Sequence, residues 1–207
     1  MMNDEKNLAR IRSYWLTSPS TFGAGGAFTL IELLVVIAII IVLAGLVLST
    51  VGYVQKKGAR SRAETEIAAM SAACESYKAD NGIYPRDNTT NQYTDTLDAR
   101  QNFDAKQTVY QNASLYLYDA LFGATSGSRT PNVGARSYFT FKPNQLSPSD
   151  QAQPVAFIRD PFGNSYGYST ANQADPTTPK GYNPTFDLWS TAGGTTASDV
   201  AGWIKNW

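Results

Sequence analysis

Glu32 is the only ionisable side chain in an apolar run from Phe28 to Leu48. The hydrocarbon core of a bilayer takes roughly 20 apolar residues of helix to cross, and this run supplies that length. A carboxylate inside such a segment costs on the order of 2.5–3.5 kcal/mol on insertion scales, so an intramembrane charge is a candidate functional group by default. A plain anchor would work better without it. Other chemistry-bearing residues are sparse. The chain has no histidine, which removes His-based triads and imidazole metal sites. No Gly-rich phosphate loop follows a strand pattern. Asp98 and Asp104 fall in polar loop sequence and are expected to be solvated. Asn88-Thr89-Thr90 and Asn112-Ala113-Ser114 fit the glycosylation tripeptide, a short and unspecific pattern. The expectation is a protein that is not an enzyme.

The element that carries Glu32 is a long helix. A secretory signal has an apolar stretch of about 7–15 residues followed by its cleavage site. Here the run is longer, and the small residues Gly25-Gly26-Ala27 come before it. Composition alone leaves open a signal anchor with a stray Glu. Further along, Ile67, Met70, Cys74 and Tyr77 are spaced 3, 4 and 3, which is one helix face. Arg60, Arg62, Glu64, Glu66, Glu75 and Lys78 point in other directions. The pattern predicts one helix from Phe28 to about Asp80, stopped at Asn81-Gly82, where Gly accepts the left-handed conformation that closes a last turn. Cys74 on the apolar face reads as a small buried residue. As the single cysteine it excludes an intramolecular disulfide, so stability must come from packing or a bound ion.

After residue 82 the chain reads as a small α+β head. Tyr84-Pro85 starts an extended stretch, residues 86–112 are polar and loop-like, and 113–122 is a short helix followed by Gly123. Ser126 to Pro131 is a turn-rich loop, and so are residues 171–184. Strand candidates are 138–141, 154–158, 165–169 and 185–190, with a turn at Asp160-Pro161-Phe162-Gly163-Asn164. Twelve Tyr, nine Phe and four Trp can fill a β-rich core. The 17 basic and 17 acidic residues balance, so nucleic acid is not an evident partner.

Small residue, Phe, Thr, Leu, any residue, Glu, then a long apolar helix: Ala27 to Glu32 resembles the type IV prepilin N-terminus shared by type IV pilins and type II secretion pseudopilins. The family usually has Gly where this chain has Ala27. The resemblance implies cleavage by a prepilin peptidase between Ala27 and Phe28, N-methylation of Phe28, and a Glu32 that neutralises the terminal amine of a neighbouring subunit during assembly. It also implies a leader over 1–27, a long helix over 28–81 with its membrane part at about 28–50, and a globular head over 82–207. Such a fold is pilin-like: a transmembrane helix packed on a small antiparallel sheet. Gly45 and Gly52 weaken the helix locally, either as tolerated membrane glycines or as a segment that unwinds on filament assembly.

Three further stretches narrow the likeness to the major pseudopilin: Lys78 to Pro85, Asp160 to Tyr168, and Phe186 to Ser190 with Asp199 to Trp203. In that family the C-terminal loop folds around calcium. The resemblance then offers Asp199, the oxygens of Ser190 and the carbonyls of Leu188 and Val200 as ligands, with Gly194 where the family has an acidic residue. Asp199 equally suits a cap on a terminal turn. The implied function is a structural filament subunit of a type II secretion system, with minor pseudopilins, the prepilin peptidase and an inner-membrane assembly platform as partners beside copies of itself. It would be a single-pass protein of the bacterial inner membrane with its head in the periplasm, assembled into a periplasm-spanning pseudopilus. A type IV pilin or minor pilin for adhesion, motility or DNA uptake is the alternative. A membrane-tethered domain that binds a ligand such as a polysaccharide through Tyr and Trp is an alternative of another class. Lys56, Lys57, Arg60 and Arg62 outnumber Lys6, Arg10 and Arg12, which face Asp4 and Glu5. The positive-inside rule would keep the first group in the cytoplasm, whereas the resemblance places it outside.

Overall fold

The computed structural model describes residue 26 and residues 28–87, 93–178 and 180–207. Helix α1, Leu30–Asn81, runs unbroken for 52 residues through Gly45 and Gly52. It stops where the composition says it should: Gly82 takes φ +78° and its N–H donates to the Lys78 carbonyl at 2.8 Å. Contacts divide the chain into two units, one through Thr50 and one from Val51 to Trp207. In the first unit every described residue from Phe28 to Leu48 is exposed. The helix is long and apolar enough to cross a membrane.

In the second unit α1 becomes amphipathic. Ile67, Met70 and Cys74 are buried as their spacing predicts, joined by Ala63 and Ala73, with Tyr77 packed at the edge. Each large side chain buried this way contributes roughly 1.5–3 kcal/mol. Burial pushes the Cys74 thiol up, which makes it an inert core residue. Against this face sit helix α2, Thr108–Phe122, and short strands. Helix α2 begins five residues before the expected 113. Its buried stripe is Tyr110, Ala113, Ser114, Leu117, Tyr118 and Leu121, so polar Thr108, Gln111 and Asn112 merely occupy the opposite side. Asn112 to Ser114 lies inside this helix, where the Ile158 N–H donates to the buried Ser114 hydroxyl at 2.9 Å. The tripeptide at 88–90 lies outside the described residues.

Strands β1, Leu146–Ser147, and β2, Phe157–Ile158, pair antiparallel with Leu146 opposite Ile158. A second antiparallel sheet has the order β3-β4-β5, from Gly167–Ser169, Asp187–Ser190 and Ile204–Lys205. Gly167 faces Trp189, and any Cβ there would run into the indole ring. The 165–169 and 185–190 expectations therefore hold in shortened form, and 154–158 shrinks to two residues. The 138–141 expectation fails. The N–H groups of Tyr138 and Phe139 both donate to the Leu121 carbonyl at the end of α2, at 2.7 and 3.1 Å, and pair with no strand. Residues 171–184 open with a four-residue helix α3, Ala171–Ala174.

The described part of 86–112 is not a solvated loop. Thr94, Asp95, Leu97, Asp98 and Ala99 are buried. Asp98 accepts from the N–H groups of Arg100 and Gly181 at 2.9 and 3.0 Å, which corrects the expectation that it is solvated. Arg86 pairs with Asp95 at 2.9 Å, and the Thr170 hydroxyl donates to the same carboxylate. Polar composition here marks buried, satisfied hydrogen bonds.

Candidate functional site

Two places carry the candidate residues, the start of α1 and the C-terminal loop. At the first, Ala27 lies outside the described residues, and Phe28 is 84% exposed. Thr29 is the residue before the helix. The Glu32 N–H donates to its hydroxyl oxygen at 3.2 Å, while the Thr29 N–H and hydroxyl donate to Glu32 Oε2 at 2.8 and 2.7 Å. This is a reciprocal capping box, which satisfies free N–H groups of a helix start and places a carboxylate where the helix dipole favours it. Thr29 was not singled out from the sequence, although Thr-x-x-Glu before an apolar run is itself the signal. Glu32 therefore has a purely local role in a single chain, and any role between chains is added to it.

At the C-terminal loop the four proposed calcium ligands each have an internal partner. Asp199 Oδ2 accepts from the Thr195 and Thr196 N–H groups at 3.0 and 2.9 Å and from the Thr196 hydroxyl at 2.7 Å. It caps the 3-10 turn Ala197–Gly202, and those three bonds hold its carboxyl below the usual range. The Ser190 hydroxyl donates to Asp160 Oδ2. The Leu188 carbonyl accepts from the Asn206 N–H at 3.2 Å, and the Val200 carbonyl from the Trp203 N–H at 3.2 Å. No group of three His, Cys, Asp or Glu side chains suited to a metal occurs among the described residues. A side chain at Gly194 would press on Asp199. Hard cations take six to eight oxygens; here the Thr195 and Thr196 N–H groups are aimed at the exposed Asp199 carboxylate.

Asp160 is the buried acid that the calcium expectation overlooked. Its Oδ1 accepts from the N–H groups of Phe162 and Asn164 at 3.0 and 2.7 Å, which builds the 160–164 turn. Burial pushes its carboxyl up, partly offset by the Ser190 hydrogen bond. The arrangement is structural: it ties the turn to β4.

Several aromatic rings of the head face inward. Trp189 stacks on Trp203 at 5.9 Å, meets Tyr110 edge-on at 5.5 Å and donates its Nε1–H to the Tyr110 hydroxyl at 3.1 Å. Tyr166, Tyr168 and Trp189 are fully buried and offer no ring face to a ligand, whereas Tyr182 is 39% exposed.

No family model matches the chain, and no solved structure matches it. Over 70 residues it is 43% identical to the type II secretion system core protein G of Escherichia coli (strain K12). That stretch is 34% of this chain and 46% of the relative, so the chain spans about half the length of the curated relative it matches. The similarity bears out the resemblance to the major pseudopilin.

Proposed function

We propose that this chain is a structural filament subunit, a pseudopilin of a type II secretion system, and not an enzyme. The observation that carries the proposal is the conjunction of a 70-residue similarity to core protein G with a membrane-length apolar segment of α1 whose single carboxylate stands at the first turn. Prepilin peptidase would cut between Ala27 and Phe28, and Phe28 would be N-methylated. Glu32 would then lie near its own new amine and near those of neighbouring subunits. An unpaired charge in hydrocarbon is costly, and opposite charges there are tolerable as a pair. The head would sit in the periplasm, and partners would be copies of this chain, minor pseudopilins and an inner-membrane assembly platform. An assembly ATPase would supply the energy. The burial of Tyr166, Tyr168 and Trp189 weighs against these rings serving the ligand-binding alternative. A type IV pilin or minor pilin shares every feature of the helix and differs in the filament it builds. Calcium is retained only as a quantity to titrate, given the engaged oxygens at Asp199 and Ser190.

Intact mass and N-terminal sequencing of the membrane-extracted protein, from cells with and without prepilin peptidase, test the proposal. A mature chain starting at methylated Phe28 only when the peptidase is present supports it. A chain that keeps residues 1–27, or is cut after Leu48, overturns it.

A further inference from the structure

We propose that Tyr53, Lys56, Lys57 and Arg60 form a docking surface for the anionic phospholipid headgroups of the membrane that α1 enters. The inference rests on the membrane-anchored reading above and goes beyond it by naming what the flank of the helix binds. The four residues are spaced i, i+3, i+4 and i+7, which is one helix face. With Phe162 and Ala192 they line a cavity of about 490 Å³. Charge bookkeeping on this stretch leaves two cations over. Arg60 pairs with Glu64 at 3.5 Å and also donates to the Gly202 carbonyl at 2.8 Å, and Arg62 pairs with Glu66 at 3.6 Å. Lys56 and Lys57 have no ion-pair partner among the described residues. No acidic side chain lines the cavity.

The location suits a bilayer surface. Tyr53 follows the apolar run and is 71% exposed, the behaviour of the aromatic rings that sit at headgroup level. Lys56 and Lys57 come about 5–6 Å of helix rise later, within reach of a phosphodiester by extending their stems. Two rings beside two unpaired ammonium groups match the chemistry of such a headgroup: a phosphate anion next to glycerol and acyl carbon. Basic clusters beside a membrane helix attract anionic lipid. The same residues oppose the positive-inside preference when the head is placed outside, so their retention has a physical reason if lipid is their partner.

The test uses the full mature chain in bilayers containing spin-labelled phosphatidylglycerol or phosphatidylcholine, with the relative association of the two lipids as the readout. The expected result is a clear preference for phosphatidylglycerol that falls with added salt. Lys56→Gln should lower it roughly fivefold and the Lys56→Gln/Lys57→Gln pair should nearly abolish it, at about one surface-charge increment per lysine. Lys56→Arg/Lys57→Arg should keep it. Inorganic phosphate at millimolar concentration should leave it unchanged, and displacement of lipid by free phosphate would overturn a membrane surface as the ligand. No preference in the natural chain, or one indifferent to the double Gln change, overturns the proposal while leaving the filament reading intact. Loss of filaments in the double Gln variant with lipid association unchanged would also overturn it and assign the patch to a second copy. A chain that does not enter the bilayer overturns both.

Discussion

Glu32→Gln separates two roles that Glu32→Ala confounds. In the single chain, Glu32 Oε2 accepts two hydrogen bonds from Thr29, and the Glu32 N–H returns one to the Thr29 hydroxyl. Gln at this position supports the same box, so the helix start should survive in Glu32→Gln and lose about 1 kcal/mol in Thr29→Ala, the ordinary cost of a cap. Fraying of one turn at the end of a 52-residue helix leaves the rest of α1 in place. Neutralising a neighbour's amine needs the charge itself. Leaving an ammonium unpaired in a dry, apolar interface costs on the order of 3–5 kcal/mol, or roughly two to four decades in the equilibrium for adding a subunit. The expected outcome is that Glu32→Gln and Glu32→Ala both abolish filaments in the sheared fraction at unchanged membrane levels, while Thr29→Ala assembles with at most a several-fold loss. Immunoblots of membrane and sheared fractions, with imaging of the filaments, read this out. Natural-level filaments from Glu32→Gln beside none from Glu32→Ala would refute the charge argument and leave Glu32 as a cap.

Three further outcomes follow from the head. Burial raises the Asp160 carboxyl above its ordinary value of 3.8, so the stability it contributes is complete below that value and lost as pH rises through the higher folded value. Asp160→Asn can keep all three hydrogen bonds, with the Ser190 hydroxyl accepting instead of donating, and should melt at or above the natural chain at pH 7 with a flatter pH profile. Asp160→Ala should cost about 3 kcal/mol for three lost bonds. Circular dichroism melts from pH 4 to 8 decide, and an Asn variant as damaged as the Ala one sinks the argument. Gly167→Ala drives a methyl into the Trp189 ring and should cost about 1–3 kcal/mol in denaturant unfolding; an unchanged midpoint would show that the ring can move aside. Millimolar calcium or a chelator should leave the melting temperature unchanged, because Asp199, Ser190, Leu188 and Val200 already have partners. A rise of several degrees with calcium alone would show that the loop rearranges to take the ion.

The long helix was legible because its signals are redundant: a 3.6 period at Ile67, Met70 and Cys74, an apolar run before it, and a Gly stop after it. The 160–164 turn was equally legible, since Asp, Pro, Gly and Asn each favour that backbone and Asp160 closes it from within. The strand at 138–141 was a false signal. Alternating Tyr and Phe suggest a ladder, but Tyr118, Phe139 and Phe141 bury their rings against one another, while the 138 and 139 N–H groups cap α2. Hydrogen-bond partners outside the strand cannot be read from its own residues. Asp98 failed for the opposite reason. Its partner Gly181 is 83 residues away in sequence, and without it a buried carboxylate looks like a solvated one. β5 has two residues, too few for any period. At the candidate site, Glu32 stood out by contrast with its surroundings, whereas Lys56 and Lys57 looked like an ordinary charged flank until Arg60 and Arg62 were seen to be paired.

The two halves of α1 place the decisive energies at its polar residues. From Leu30 to Leu48 the helix is exposed on every side, the surface of a segment covered by lipid or other copies. Moving that surface from bilayer to a bundle of like helices exchanges one apolar solvent for another, because lipid tails are as apolar as Leu. The apolar area that makes the segment so conspicuous in the sequence therefore contributes little to the direction of transfer. On the proposed assignments, what differs between the two environments is the fate of the charges: Glu32 would find amines of neighbours among other copies, and Lys56 with Lys57 would find phosphates at the membrane. On the proposed assignments the first group draws the chain into the filament and the second holds it at the bilayer. Weakening the second by Lys56→Gln/Lys57→Gln should then raise the filament fraction at constant expression, the opposite of what weakening Glu32 does, and a fall in that fraction would refute the antagonism.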